Sequence, residues 1–286
     1  MSDAADRPAG GASPEAIQAH YDVGNGFYRL WLDPTLTYSC ALWAGEDDTL
    51  EAAQRRKLAW IAEPALSRGA KSVLDIGSGW GGLLAHLGAN GVETLVGLTL
   101  SEKQRDYVTA LGLPGVEVRL ESWRDHRPER AYDAIVSVGA FEHFADLDLS
   151  EADRLAIYRE FFEACHGWLA PGGSLTLQTI AYGPVPALLG RELFLDYFPE
   201  SDLPRPYEIF EASDGLFEVG ELRNDREHYV RTLRAWHRNL RAHRDEAVAE
   251  VGHERVEYYK RYLGASAMMF AARNTVLLRI RMMRVP

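Results

Sequence analysis

The stretch Val73-Leu74-Asp75-Ile76-Gly77-Ser78-Gly79-Trp80-Gly81-Gly82, VLDIGSGWGG, runs a short apolar segment into a glycine-rich turn and then into a helical pattern. Glycines in such a turn let a ligand approach the backbone closely, and the N-terminus of the following helix favours anionic groups. The spacing D-x-G-x-G-x-G differs from the dinucleotide fingerprint, in which G-x-G-x-x-G follows the strand directly. Taken alone, the turn has a second reading as a tight strand-to-helix connection, because glycine is common there.

Outward from this turn, short apolar runs alternate with helical stretches, the pattern of βαβ units and a parallel sheet. The spacing predicts strands at 71–76, 92–98, 116–120, 132–138 and 174–180. Helices are expected over 80–90, 101–112 and 150–169, the last opened by Ser150-Glu151-Ala152-Asp153 in the pattern of a capping box. Pro171-Gly172-Gly173 is expected to break the chain before the fifth strand. Upstream, Leu50, Ala53, Leu58, Ile61 and Ala65 recur at helical spacing, so Thr49 to Leu66 reads as an amphipathic helix. The aromatic-rich segment from Pro14 to Trp43 reads as short helices joined by turns. Downstream, 181–206 holds prolines and aromatics without a period, which marks a lid or substrate loop. A short helix, a strand near 216–223, a helix over 226–248, a helical run to Phe270 and an apolar stretch from Thr275 to Met283 complete the chain.

With 286 residues, 47% of them hydrophobic, the chain can bury a large α/β core in one domain. We expect a disordered tail over 1–13 and a single domain over 14–286, with a helical cap at 14–68 and a lid at 181–215. Acidic residues outnumber basic ones 42 to 31, for a formal net charge of -11. That balance argues against nucleic acid and against electrostatic docking on an anionic membrane. Cys40 and Cys165, far apart in sequence, make neither a disulfide framework nor a metal site, and a reducing, cytoplasmic setting fits them. The N-terminus lacks the build of a signal peptide, and no apolar run is long enough for stable membrane insertion. Homo-oligomer formation stays open.

Six segments together resemble one family, the cyclopropane fatty acid synthases, including the mycolic acid cyclopropane synthases. They are HYDVGNGFYRLWLDPTLTYSCALW at 20–43, VLDIGSGWGG at 73–82, VGLTLSEKQ at 96–104, IVSVGAFEHF at 135–144, FPESDLP at 198–204 and HYVRTLRAW at 228–236. The resemblance implies a class I, Rossmann-like methyltransferase dependent on S-adenosylmethionine (SAM). Its fold would be a seven-stranded, mostly parallel sheet with N-terminal helices covering the SAM site and a lid insertion. SAM contacts are implied at Tyr38, Ser39, Asp75, Gly77, Gly79, Thr99, Leu100, Gln104, Trp123 and Gly139. Gln104 has a second reading, completing a capping box with Ser101, and Trp123 a second reading as a core aromatic.

An alkene is a weak nucleophile, and its attack on a methyl group leaves a carbocation that needs shielding and then a base. Tyr28, Tyr38, Phe141 and Phe144 either line such a site or pack in the core. In the family the base is a bicarbonate held by Cys, Glu, His and Tyr side chains. The resemblance places these at Cys40, Glu142 and Tyr229, but at the histidine position this chain has Gln178. A neutral amide holds an anion less well than a charged imidazole. Bicarbonate is therefore a weakened expectation, and Glu142 becomes the candidate base, with a plain hydrogen-bonding carboxylate as the alternative. His143 is a candidate base for an amine or hydroxyl substrate. A shortened lid, and Met268 where the family has Glu, also count against a lipid.

The expected activity is SAM-dependent C-methylation, or cyclopropane formation, on an alkene-like carbon of an acyl substrate or, with a mild preference, of a small molecule of natural-product biosynthesis. N- or O-methylation of a small metabolite is the alternative within the enzymes. A SAM-binding protein without methyl transfer is the alternative outside them.

Overall fold

A computed structural model describes residues 23–186 and 201–286. Its strands are β1 (Ser72–Ile76), β2 (Thr94–Thr99), β3 (Val116–Leu120), β4 (Tyr132–Val138), β5 (Leu169–Tyr182), β6 (Phe217–Asn224) and β7 (Thr275–Arg284). They form one sheet in the order β3-β2-β1-β4-β5-β7-β6. Strands β1 to β5 pair in parallel, while β7 lies antiparallel between β5 and β6. The chain moves outward from β1 through β2 to β3 and then returns to β4 on the other side of β1. That reversal opens a crevice beyond the carboxyl ends of β1 and β4, the place where open α/β sheets bind ligands.

Helices cover both faces. α1 (Asn25–Arg29) and α2 (Leu50–Leu66) precede the sheet, and α3 (Gly82–Ala89), α4 (Glu102–Ala110) and α5 (Glu151–Trp168) connect its parallel strands. α6 (Pro206–Ser213) leads into β6, and α7 (Arg226–Ala242), α8 (Arg244–Val251) and α9 (His253–Ala271) run from β6 to β7. Hydroxyl caps start three of the helices where the sequence pattern placed them. Thr49 Oγ1 accepts from Ala52 N, Ser101 Oγ from Gln104 N and Ser150 Oγ from Asp153 N.

Several elements differ from expectation for local reasons. Pro171-Gly172-Gly173 does not break the chain but forms a bulge inside β5, between the pairs Tyr132–Leu169 and Ala134–Ser174. Gly172 takes φ +76, and a Cβ on Gly173 would lie 2.9 Å from Ala170 O, so these two positions require glycine. The expected helix over 226–248 stops at Ala242, because His243 turns to φ -104 and ψ 28 and its N and Nδ1 both engage Asn239 O. Among residues 23–43 the only helix is the five-residue α1. Beyond it, the Asp33 carboxylate accepts from Thr35 N at 3.0 Å and Thr37 N at 3.1 Å, local bonds that compete with a helix. The expected tail and residues 187–200 of the expected lid lie outside the described residues. Within 181–215, Ala181 and Tyr182 belong to β5, and Pro206–Ser213 is helical.

The core has three main parts. Phe141, Tyr158, Phe161, Phe162, Leu175 and Leu177 fill the side under α5, and Leu58, Ile61, Leu83, Leu84 and Leu87 fill the opposite side under α2 and α3. A third, aromatic cluster joins Phe27, Tyr28 and Trp31 to Trp236, Tyr259 and Phe270, so that α7 and α9 clamp the N-terminal segment beside the crevice. No described helix is long and apolar enough to cross a membrane. Phe161 is fully buried among Trp123, Phe141, Phe144 and Phe162. Phe161→Ala is expected to lower unfolding free energy by about 3–5 kcal/mol in urea titration; a loss under about 1 kcal/mol would show that the wall collapses to fill the space.

Candidate active site

The crevice beyond β1 and β4 is lined by residues from every parallel connection. β1 delivers Asp75 and Ile76, and the turn after it delivers Gly77, Ser78 and Gly79. Thr99 and Leu100 come from the end of β2, Gln104 from the first turn of α4, Trp123 from the loop after β3 and Gly139 from the turn after β4. Tyr38 and Ser39 reach it from the irregular N-terminal segment. All ten residues to which the resemblance gave SAM contacts therefore line one cleft.

The glycines of the turn have separate physical reasons. Gly77 has φ +83, and a Cβ there would stand 2.8 Å from Ala140 Cβ, so the turns after β1 and β4 touch. Gly79 has φ +55 and nothing within 4 Å of a Cβ position, so the backbone itself faces open space. Asp75 is 2% exposed, makes no side-chain hydrogen bond among the described residues, and burial pushes its carboxyl up to about 7. An unpartnered buried carboxylate, an open backbone turn and an aromatic wall fit a ligand with a cationic end and a flat ring, as SAM has.

Gln104 and Trp123 each combine a packing or capping contact with a place on the cleft wall. Ser101 Oγ caps Gln104 N, but the Gln104 side chain does not return the bond. Its Oε1 instead accepts from Thr99 Oγ1 at 2.7 Å on the cleft wall, and Ser101 N donates to the same Thr99 hydroxyl. Trp123 packs edge-on against Phe161 with centroids 5.5 Å apart while also lining the cleft. Of the four aromatics with two readings, Tyr38 and Phe144 line the cleft. Tyr28 and Phe141 do not: Tyr28 bonds Tyr259 through their hydroxyls at 2.9 Å, and Phe141 stacks on Tyr158.

Behind the cleft lies a polar cluster around a residue that the sequence reading passed over. Arg279 is 0% exposed and stands opposite Gln178 in the β5–β7 ladder. Its Nε donates to Gln178 Oε1 at 2.8 Å, one terminal nitrogen pairs with Asp225, and the other donates to Cys40 O at 2.7 Å and Ala41 O at 3.2 Å. The amide in the dry strand is thus an acceptor for a buried guanidinium. This changes the inference from Gln178: the neighbourhood does contain a cation, one strand over.

Glu142, 5% exposed, sits in the 3-10 turn Phe141–His143. Its Oε2 accepts from Thr179 Oγ1 at 3.0 Å, next in sequence to Gln178, and Oε1 lies 3.7 Å from where a Cβ on Gly139 would stand. Burial pushes its carboxyl up to about 7, against the hydrogen bonds that favour ionisation. The Cys40 thiol donates to Ala41 O at 3.2 Å and is raised by burial to about 11, so it stays protonated at neutral pH. Tyr229 lies on α7 one turn after Asp225, packed against Phe270 with centroids 4.6 Å apart. His143 lines the cleft, its Nδ1 is 2.9 Å from Ser201 Oγ, and burial lowers it to about 4, which leaves the imidazole neutral. Cys40, Glu142, Gln178 and Tyr229 do not line the cleft directly. Met268 is 71% exposed on α9, so its side chain says nothing against a lipid in the interior.

Lys57 was also missed. It is 2% exposed on the buried side of α2, lines the cleft, and donates to Ser39 Oγ at 3.0 Å. Gln54, one turn earlier and fully buried, donates to Thr37 O and Ser39 O. A signal was present in both cases: Gln54 and Lys57 interrupt the apolar stripe of α2, as Arg279 interrupts the apolar run of β7.

With this geometry in place, a family model described as mycolic acid cyclopropane synthetase matches residues 11–280. Cyclopropane mycolic acid synthase 2 of Mycobacterium bovis is 35% identical to this chain, covering 91% of each. The structure of the cyclopropane synthase MmaA2 from Mycobacterium tuberculosis superposes with a TM-score of 0.84 at 32% identity, over 96% of this chain and 99% of that one. Mycolic acid cyclopropane synthase CmaA1, complexed with SAH and CTAB, gives a TM-score of 0.84 at 30% identity over the same shares.

Replacing Arg279 by Met would leave Gln178 Oε1 and the Cys40 and Ala41 carbonyls buried without their donor. The expected loss is about 3–5 kcal/mol of unfolding free energy in urea titration. A change below about 1 kcal/mol would show that the cluster does not depend on the guanidinium.

Proposed function

Because the chain belongs to the mycolic acid cyclopropane synthetase family, we propose that its cleft directs methyl transfer to a carbon–carbon double bond of an unsaturated acyl chain. The chain is a SAM-dependent methyltransferase of the cyclopropane mycolic acid synthase type. SAM, when bound, supplies an electrophilic methyl group on a sulfonium. The observation that carries the acyl-alkene reading is the buried Glu142 carboxylate beside the Gly139 turn, close to a cleft wall that includes Tyr38 and Phe144.

In this reading the alkene attacks the methyl carbon, a carbon–carbon bond forms, the sulfur–carbon bond breaks, and a carbocation is left on the acyl chain. The aromatic faces of Tyr38 and Phe144 stabilise that cation without reacting with it. Glu142 then takes the proton whose loss closes the ring, a step for which a carboxyl raised to about 7 by burial is suited near neutral pH. Thr179 and the backbone N–H groups of Glu142 and Ile180 hold the carboxylate in place. Bicarbonate is not required here. The Cys40 thiol is turned to Ala41 O and the Gln178 oxygen to Arg279, which withdraws part of the anion-holding set that the resemblance implied.

An acyl substrate is preferred over a small natural-product scaffold for two reasons. Relatives named for mycolic acid match along 91% of both chains, and Met268, exposed on α9, does not line the cleft. A second reading, methylation of an amine, is favoured by one observation, the neutral His143 imidazole on the cleft wall.

Incubation with methyl-labelled SAM and unsaturated acyl lipids or thioesters should give a labelled product heavier by one CH2 that no longer behaves as an alkene. Label appearing only in an amine pool would favour the second reading. Turnover should rise with pH through about 7, as Glu142 ionises, and bicarbonate depletion should leave it unchanged. Glu142→Gln should reduce turnover by about 10²–10⁴-fold and abolish that rise, while S-adenosylhomocysteine still binds. An unaltered pH profile in the variant would remove Glu142 from the proton step.

A further inference from the structure

The residues that the resemblance placed around SAM are all uncharged except Asp75, yet the amino-acid end of SAM carries a carboxylate as well as an ammonium. We propose that Lys57 and Asp75 form a two-point clamp for this zwitterion, Lys57 receiving the carboxylate and Asp75 the ammonium. The inference rests on the cofactor, not on the acyl reading of the substrate.

Both side chains line the same cleft, both belong to residues 2% exposed, and they come from different elements, α2 and β1. They form no direct ion pair, although each lies close enough to favour the charged form of the other. Among the described residues Asp75 has no side-chain hydrogen bond or ion pair, and Lys57 has a single one, to Ser39 Oγ at 3.0 Å. Removing two charges from water and leaving them apart is unfavourable unless something else pairs them. That cost is visible in both groups: burial lowers Lys57 to about 7 and raises Asp75 to about 7.

The other charged and titratable neighbours of Lys57 are already engaged. Arg279 is a like charge bound to Asp225, and Cys40 is a thiol directed at Ala41 O. Asp33 is held by the backbone N–H groups of Thr35 and Thr37. Only a ligand in the cleft can offer Lys57 a free carboxylate and Asp75 a free ammonium together. Gln54 completes the geometry by fixing Thr37 O and Ser39 O, so that Ser39 Oγ and Lys57 Nζ present adjacent donors.

The test compares two ligands by calorimetry, S-adenosylhomocysteine and methylthioadenosine, the second of which keeps the nucleoside and the sulfur but lacks the amino-acid end. In Lys57→Met, affinity for S-adenosylhomocysteine should fall by about 10-fold or more, while that for methylthioadenosine stays within about twofold. Lys57→Gln keeps a donor for Ser39 Oγ without the charge, and the same split is expected, which covers the case that the Met variant does not fold. Equal weakening of both ligands would reassign Lys57 to packing and overturn the clamp, as would unchanged binding of S-adenosylhomocysteine. Binding of neither ligand to the unmodified protein would overturn the cofactor assignment along with it.

Discussion

A guanidinium that never loses its charge, enclosed in the middle of a sheet, has to find an acceptor for each of its donors. Arg279 engages all three of its nitrogens, with Gln178 on β5, the carboxylate of Asp225 at the start of α7, and two carbonyls of the N-terminal segment, Cys40 and Ala41. Three parts of the chain remote in sequence are thereby fixed to one planar group. Asp225 also takes two bonds from Arg223, so the carboxylate is shared and the cluster keeps a positive balance. The segment pinned by Arg279 is the one that carries Tyr38 and Ser39 to the cleft, and the strand pinned by it holds the Gly139 turn through Gly139 N to Gln178 O at 3.0 Å.

Next to this cluster the demand is reversed. Lys57 and Asp75 are buried without full partners, an arrangement that costs stability in the empty protein and becomes favourable once opposite charges arrive. One cluster is closed on itself and holds the architecture. The other is left open and faces the ligand. The segment Ser39–Ala41 lies between them: Arg279 bonds the Cys40 and Ala41 carbonyls and does not line the cleft, whereas Lys57 bonds Ser39 and lines it with Asp75.

Much of this was legible in advance. The VLDIGSGWGG turn located the crevice, because a strand, a run of positive-φ glycines and a helix N-terminus have few other uses. The caps at Ser101 and Ser150 were legible because capping is a local bond between residues two or three apart. The helix break at His243 was not, since it depends on a ring nitrogen reaching back to Asn239 O within an otherwise continuous helical pattern. The Pro171-Gly172-Gly173 bulge was misread for a related reason. A strand interrupted locally can continue if its neighbour supplies the pairing, and β4 does so.

Gln178 shows where the boundary falls. The sequence by itself determined the α/β alternation, the family resemblance and the oddity of an amide in a buried strand, because periodicity, turn chemistry and residue type are properties of neighbours along the chain. Only the tertiary structure decided what the amide is for. Its partner, Arg279, lies 101 positions away and becomes its neighbour through the antiparallel insertion of β7 beside β5. The same holds for Lys57, whose place within the apolar stripe of α2 is visible in the sequence but whose partner, Ser39, is brought to it only when the Thr37–Ser39 segment packs against the helix. Burial, and with it the meaning of a buried charge, arises only when distant segments pack.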